Sequence, residues 1–345
     1  MPEPRHPLVE LTLARFREFL REPEALFWVF AFPVLLACAL GVAFGTQNAA
    51  VVLVGVIEGP GSEAVRSTLE GDEEVRVEVL TREAATRTLR NGAIHVLVVP
   101  GTPVTYEFDP SRPESRVARF VVDASLQGAA GQQRALATED RSVVVPGSRY
   151  IDWVVPGLLG MNIMGTGLWS IGFSVVQARV RKLLKRLMAT PMSRAQYLAS
   201  HIAARLAFLV LEAGALLGFA MLVFDVPVQG SWLVLIGFCV LGAACFAGLG
   251  LLVASRAKTI ETVSGLMNLV MVPMWVLSGV FFASENFPDA MQPFIDLLPL
   301  TALNQALRGV MLEGVGVMAL WSQAVVLLGW MLVSFVVALR LFRWR

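Results

Sequence analysis

The chain has 345 residues, 56% of them hydrophobic and only 16% charged, with a mean hydropathy of +0.65. Soluble domains hold roughly 45–50% apolar and about 25% charged residues, so most of this chain belongs in lipid. The net charge of +1 is uninformative, because acids and bases are segregated along the sequence, and no polybasic nucleic-acid binder is indicated; Cys38, Cys239 and Cys245 all sit in apolar runs, as small hydrophobes rather than a disulfide framework or a zinc site.

MPEPRHPLVELTLARFREFL opens with acids and prolines and shows no small-residue cleavage pattern, so it is expected to be retained. At about 100° per residue, Leu8, Val9, Leu13, Phe16, Phe19 and Leu20 fall on one arc, and Glu10, Arg15, Arg17, Glu18 and Arg21 lie mostly opposite. Residues 1–23 are therefore expected to form an amphipathic helix on the cytoplasmic leaflet.

A membrane-spanning helix needs about 20 mostly apolar residues. Six stretches qualify: Ala25–Phe44, Ile151–Val176, Ile202–Phe224, Trp232–Ala254, Val263–Phe282 and Leu320–Leu341. Lys and Arg concentrate before the first stretch, after the second, after the fourth and at the end of the chain. With six crossings these basic segments share one side, which the positive-inside rule makes cytoplasmic. The opposite segments carry Asp225, Glu285, Asp289, Asp296 and Glu313 against a lone Arg308.

Residues 24–45 form the first span, and residues 46–150 then have soluble composition. VVLVGVIEG, VRVEVL, AIHVLVVPG and VTYEFD read as strands, and Thr81–Arg90 and Glu114–Leu136 as helices. The fold class is thus an α-helical polytopic membrane protein with an inserted small α/β extracytoplasmic domain. Residues 151–345 carry the remaining spans, including a proline-punctuated stretch at 283–318. Its two short helices, broken at Pro299, read either as a re-entrant hairpin or as an amphipathic surface helix.

RKLLKRLMATPMSR, Arg181 to Arg194, follows the second span. On a helix, Val176, Val180, Leu183, Leu184, Leu187 and Met188 share one face, and Arg179, Arg181, Lys182, Lys185 and Arg186 the other. Pro191 stops that helix, and Ser193 with Gln196 forms a capping box for the next. Charge alone leaves open a simple topological anchor among headgroups.

The order of elements, with VPGLLGMNIMGTGLWSIGFSVV followed by LKRLMATPMSRAQYL, and VPMWVLSGVFFASENFPDAMQPFIDLLPLTALNQALRGVMLEG near the end, resembles the permease subunits of type-2 ABC exporters. The inserted domain, with GVIEGP, AIHVLVVP and EFDPSRPES, is similar to the subgroup with a large extracytoplasmic insertion. The resemblance covers essentially the whole chain. It departs from the family at Ala178, Val180, Lys182 and Leu183, where glutamates and a Gly-Thr are common.

The resemblance implies a coupling helix at 177–192, with Arg179, Arg181, Lys182, Lys185, Arg186, Leu187 and Pro191 facing a separate ABC ATPase subunit. ATP and Mg would bind in that partner, because this sequence has no G-x-x-x-x-G-K-[ST] phosphate cradle; the chain itself holds no cofactor and is not an enzyme. A second permease copy or a paralogue and membrane lipids are further implied partners. The inserted domain is left open between gating, docking a periplasmic adaptor and shielding the exit. The implied location is the bacterial cytoplasmic (inner) membrane, with both termini cytoplasmic. The implied function is efflux of a hydrophobic or amphiphilic substrate, against the alternative of a membrane-anchored sensor or assembly scaffold.

Glu212 lies in mid-span, where an ionisable group is costly and marks a candidate functional site. Arg205 and His201 share its helical face, and a purely structural pairing of Glu212 with a neighbouring helix is equally compatible. Asn162, Asn268 and Gln305 are candidates for interhelical hydrogen bonds, and Gly214 with Gly218 for close helix packing. His6, His95 and His201 fall in different compartments, which argues against a metal site or a catalytic triad.

Overall fold

The computed structural model describes residues 17, 20–45, 51–72, 74–132, 149–180, 194–257 and 259–341. The expected N-terminal amphipathic helix and the segment 181–193 lie outside the described residues, apart from Arg17, Leu20 and the few residues that lead into the first helix. The chain divides into two units, residues 46–143 and the remainder.

The smaller unit is an open four-stranded sheet in the order β2-β1-β3-β4. Its strands are β1 (Val52–Ile57), β2 (Val75–Leu80), β3 (Val96–Val99) and β4 (Thr105–Phe108). β1 pairs parallel with both β2 and β3, and β4 closes the edge antiparallel to β3. Parallel neighbours need crossover helices. The sheet grows from β1 in both directions, so right-handed crossovers send successive helices to opposite faces.

Val52, Val54 and Val56 face one side, packing with Leu69, Ala118 and Val122. On the other side Ala85, Ile94 and Leu97 form a second core with Ile57, Leu80 and Leu89. Gly55 belongs to this second face, where a Cβ would stand 2.6 Å from Ile94 Cδ1. Each fully buried Val or Leu contributes about 1.5–3 kcal/mol, which is what holds this unit together.

In the larger unit the hydrophobic effect gives no such drive between helices, and close packing and polar contacts take its place. α1 (Pro23–Leu26), a π-helical turn (Phe27–Ala31) and α2 (Phe32–Gly45) follow one another without a break. The unit continues with α6 (Tyr150–Val180), α7 (Arg194–Phe224), α8 (Trp232–Arg256) and α9 (Ile260–Leu277). Two 3-10 turns lead to α10 (Gln292–Asp296), α11 (Pro299–Met311) and α12 (Trp321–Leu341). The smaller unit holds α3 (Ser62–Leu69), α4 (Arg82–Asn91) and α5 (Pro113–Ala129).

Among the described residues five helices are long and apolar enough to cross a membrane, within α6, α7, α8, α9 and α12. The first of the six expected spans lies in the continuous helical run Pro23–Gly45, whose apolar part, Phe27–Ala43, is shorter than the other five. Glu22, Pro23 and Glu24 keep its start polar.

α6 and α8 meet through glycines. A Cβ on Gly250 would stand 2.7 Å from the Leu168 carbonyl, and one on Gly167 2.8 Å from Phe246 Cβ. α11 is buried along nearly its whole length, from Pro299 to Met311, so it is a core helix and not a surface one. Gly157 and Gly160 of α6 and Gly242 of α8 let it in; a Cβ at Gly242 would lie 2.7 Å from Leu303. Gln305 bridges Asp296 and Gln323, and Trp330 Nε1 donates to the Leu297 carbonyl at 2.8 Å, tying α10, α11 and α12 together.

Candidate functional site

The structure joins two of the sequence-predicted intramembrane residues and adds a third. Arg205 Nη1 lies 2.8 Å from Glu212 Oε1, with side-chain exposures of 8% and 0%. Arg205 Nη2 donates to Thr166 Oγ1 on α6 at 2.7 Å, and that hydroxyl is 3.1 Å from Glu212 Oε1. Two turns of α7 separate the charges, so Arg205 lies along its own helix to reach the carboxylate. Glu212 Oε2 and Arg205 Nε are buried and have no hydrogen-bond partner among the described residues.

One turn before Thr166, Asn162 Nδ2 donates to the Val29 carbonyl at 3.1 Å. Val29 lies within the π-helical turn, where the widened i→i+5 ladder leaves room for an outside donor. The polar groups thus connect the first helix, α6 and α7. Asn268 takes no part: it is exposed on α9 and makes no side-chain hydrogen bond among the described residues. The His201 side chain lies outside the described residues. Gly214 and Gly218 have open space where a Cβ would stand.

Of the residues assigned to ATPase coupling, Arg181, Lys182, Lys185, Arg186, Leu187 and Pro191 lie outside the described residues. Arg179 is described, in the last turn of α6. Its Nη1 donates to the carbonyls of Ala257 at 2.7 Å and Ala254 at 3.3 Å, and Nη2 to Ser255 at 3.5 Å. A cation there satisfies the open carbonyls at the C-terminus of α8 and opposes its dipole.

The other end of α6 repeats the device. Arg149 pairs with Asp152 at 2.8 Å, and its Nη2 donates to the Phe224 carbonyl at 2.6 Å and the Asp225 carbonyl at 3.2 Å, capping α7. Asp225 takes a left-handed conformation at that helix end, with φ of 52°. α6 is thereby fastened to a different neighbour at each end. Neither capping role was visible in the sequence, because each joins residues about 75 positions apart.

Sequence reasoning also passed over Arg308, noting it only as an odd cation among acids. Its guanidinium carbon lies 3.7 Å from the centre of the Trp153 ring. Nε donates to the Trp153 carbonyl at 3.1 Å, and Nη2 to the Gly279 carbonyl. Gly279 has φ of +70°, and a Cβ there would stand 3.3 Å from Nη1.

The sequence profile of ABC-2 family transporter proteins matches residues 23–341, the whole set of helices just described. The chain belongs to the ABC-2 transporter family. Among related proteins, ABC transporter G family member 20 of Dictyostelium discoideum is 28% identical over 191 residues, 54% of this chain and 26% of that protein. The inner membrane transport permease YadH of Escherichia coli is 26% identical over 166 residues, 47% of this chain and 63% of its own length. Nodulation protein J of Bradyrhizobium diazoefficiens is 26% identical over 170 residues, covering 49% and 64% respectively. The chain therefore spans less than two thirds of each of these ABC-2 relatives.

Proposed function

We propose that this chain is the membrane-spanning permease of an ATP-driven exporter, with nucleotide hydrolysis in a separate ABC ATPase subunit. The family match over residues 23–341 carries this reading, alongside relatives named as ABC transporters and transport permeases. These residues contain no phosphate-cradling glycine loop, so nucleotide is bound and hydrolysed outside them.

The basic segment 177–192 is the docking point, placed on the cytoplasmic side of the inner membrane together with both termini. Its cationic face finds an acidic groove on the ATPase, and closure of that subunit displaces the elbow. Arg179, fastened to the carbonyls at the end of α8, passes the displacement from α6 to α8. Residues 46–150 lie outside the cytoplasm, and 283–318 form the re-entrant hairpin that borders the exit.

A second copy or a paralogue completes the pathway. Asn268 supports this: an exposed asparagine on an otherwise apolar span is costly in lipid and is relieved by an interhelical hydrogen bond. The broad apolar character of the chain favours a hydrophobic or amphiphilic substrate such as a drug or lipid.

Purification of the full chain from its native membrane, with mass spectrometry of what accompanies it, tests the proposal. A subunit bearing G-x-x-x-x-G-K-[ST] in stoichiometric amount supports it. Recovery with soluble receptors or assembly factors alone, and no ATPase, overturns it in favour of a sensor or scaffold.

A further inference from the structure

Among the described residues Arg308 has no ion-pair partner, although the Glu285 carboxylate acts on it from beyond ion-pairing distance. The arginine is half-buried on α11, and no described carboxylate lies within ion-pairing distance of it, in contrast to Arg149 and Arg205. Arginine does not shed its charge in proteins, so such a group needs an anion or strong dipoles around it. The surroundings supply part of this. One face of the guanidinium lies over the Trp153 ring at 3.7 Å. Two backbone carbonyls, of Trp153 and Gly279, accept from Nε and Nη2.

That seat is built into the backbone. A Cβ on Gly157 would stand 3.0 Å from Nη2, and Gly279 in its left-handed conformation leaves the space beside Nη1. The two carbonyls occupy the side-on edge of the guanidinium, Nε with Nη2. Of its five N–H donors, three remain without a partner among the described residues: both on Nη1 and the second on Nη2. Nη1 is not sealed in, since it is absent from the buried unpartnered atoms. The open end of the fork, Nη1 with Nη2, has the spacing that receives two oxygens of a phosphate or carboxylate.

We propose that Arg308 is a binding site for the phosphate group of an anionic membrane lipid, whose charge, unlike that of phosphatidylcholine, is not balanced by a cation of its own headgroup. The location favours a lipid headgroup over a free ion. Tyr150 begins α6 and its hydroxyl bonds the Phe281 carbonyl, and Trp153 lies one turn further in, aromatic side chains of the kind found at headgroup level. Phe282, three residues beyond Gly279, is 68% exposed and offers an apolar surface for acyl chains. A phosphodiester oxygen pair on the open fork neutralises the charge that the two carbonyls, the ring and the more distant Glu285 only partly balance. The site is independent of what the permease carries and of how it is energised.

Arginine-selective labelling with phenylglyoxal, read peptide by peptide, tests this on the full chain in vesicles. Phosphatidylcholine alone is compared with phosphatidylcholine containing about a third phosphatidylglycerol, using exposed Arg116 as the internal reference. The expected result is at least a 5-fold slower modification of Arg308 in the anionic vesicles, with Arg116 unchanged. Inorganic phosphate at millimolar concentration in the neutral vesicles separates the sources: no protection supports a lipid ligand, and protection equal to phosphatidylglycerol assigns the same fork to a soluble anion and overturns the lipid assignment. Equal labelling in every condition, or none in any, overturns the site.

A second arm uses native mass spectrometry after a delipidating wash. Wild type retains a phosphatidylglycerol that Arg308→Met loses. Retention by the variant overturns the proposal, and the labelling of wild type stands even where Arg308→Met fails to fold.

Discussion

Arg205 and Glu212 form an ion pair of 2.8 Å two turns apart on α7, and the carboxylate is wholly buried. Removing one member leaves an uncompensated charge in a low-dielectric interior, a change that costs about 3–5 kcal/mol. Arg205→Met or Glu212→Leu alone is expected to lower the thermal stability of the purified chain by that order. The double variant is expected to recover most of the loss, because no charge remains. Simple addition of the two single losses would show that the pair is not coupled.

Asn162 holds the carbonyl of Val29 inside the π-helical turn. Asn162→Leu removes one interhelical hydrogen bond, worth about 0.5–1.5 kcal/mol. Hydrogen exchange in the peptide covering residues 27–34 is expected to accelerate, while peptides of α12 keep their protection. Unchanged exchange in the first helix would mean that the turn does not depend on this donor.

The structure separates glycines that are needed from glycines that are not. A Cβ at Gly160 would collide with Asn304 Oδ1, whereas the space around Gly329 is open. Gly160→Ala is expected to cost about 1–3 kcal/mol through overpacking of α11 against α6. Gly329→Ala is expected to be neutral or to stabilise by up to about 1 kcal/mol, since alanine is the better helix former. Thermal scans of the two variants check the contrast, and equal destabilisation would contradict it.

In the smaller unit, burial and then the hydrogen bond to Asp123 push the Tyr106 phenol up to about 12. The raised value means that folding favours the protonated phenol. Its contribution is therefore complete below the unfolded value of about 10 and is lost as pH rises through about 12. Tyr106→Phe is expected to lower stability by at most about 1 kcal/mol, because the pair is partly open to water. The gap between wild type and variant should close between pH 10 and 12, and a gap that persists at pH 12 would contradict the assignment.

Much of the fold was legible in the sequence. VRVEVL alternates with period two and is β2 from Val75 to Leu80, and long apolar runs mark the helices of the larger unit. The short α3 was missed because Ser62–Leu69 is polar and buries only Leu69. The sequence placed Arg205 and Glu212 on one face, since helical periodicity is a local property. It could not bring Thr166 to them, seat Arg308 on Trp153 or send Arg179 to the end of α8, because those contacts join distant segments. The first expected span, Ala25–Phe44, falls within the continuous helical run Pro23–Gly45, because its apolar residues follow one another without a break.

The most direct measurement of the energised-permease reading is substrate export by vesicles carrying this chain and its ATPase partner. Lys185→Glu with Arg186→Glu reverses two charges of the proposed docking segment. The expected result is that assembly in the membrane persists while substrate no longer stimulates ATP hydrolysis, and transport falls at least 10-fold. Unchanged stimulation and unchanged transport in the charge-reversed protein would contradict the coupling role.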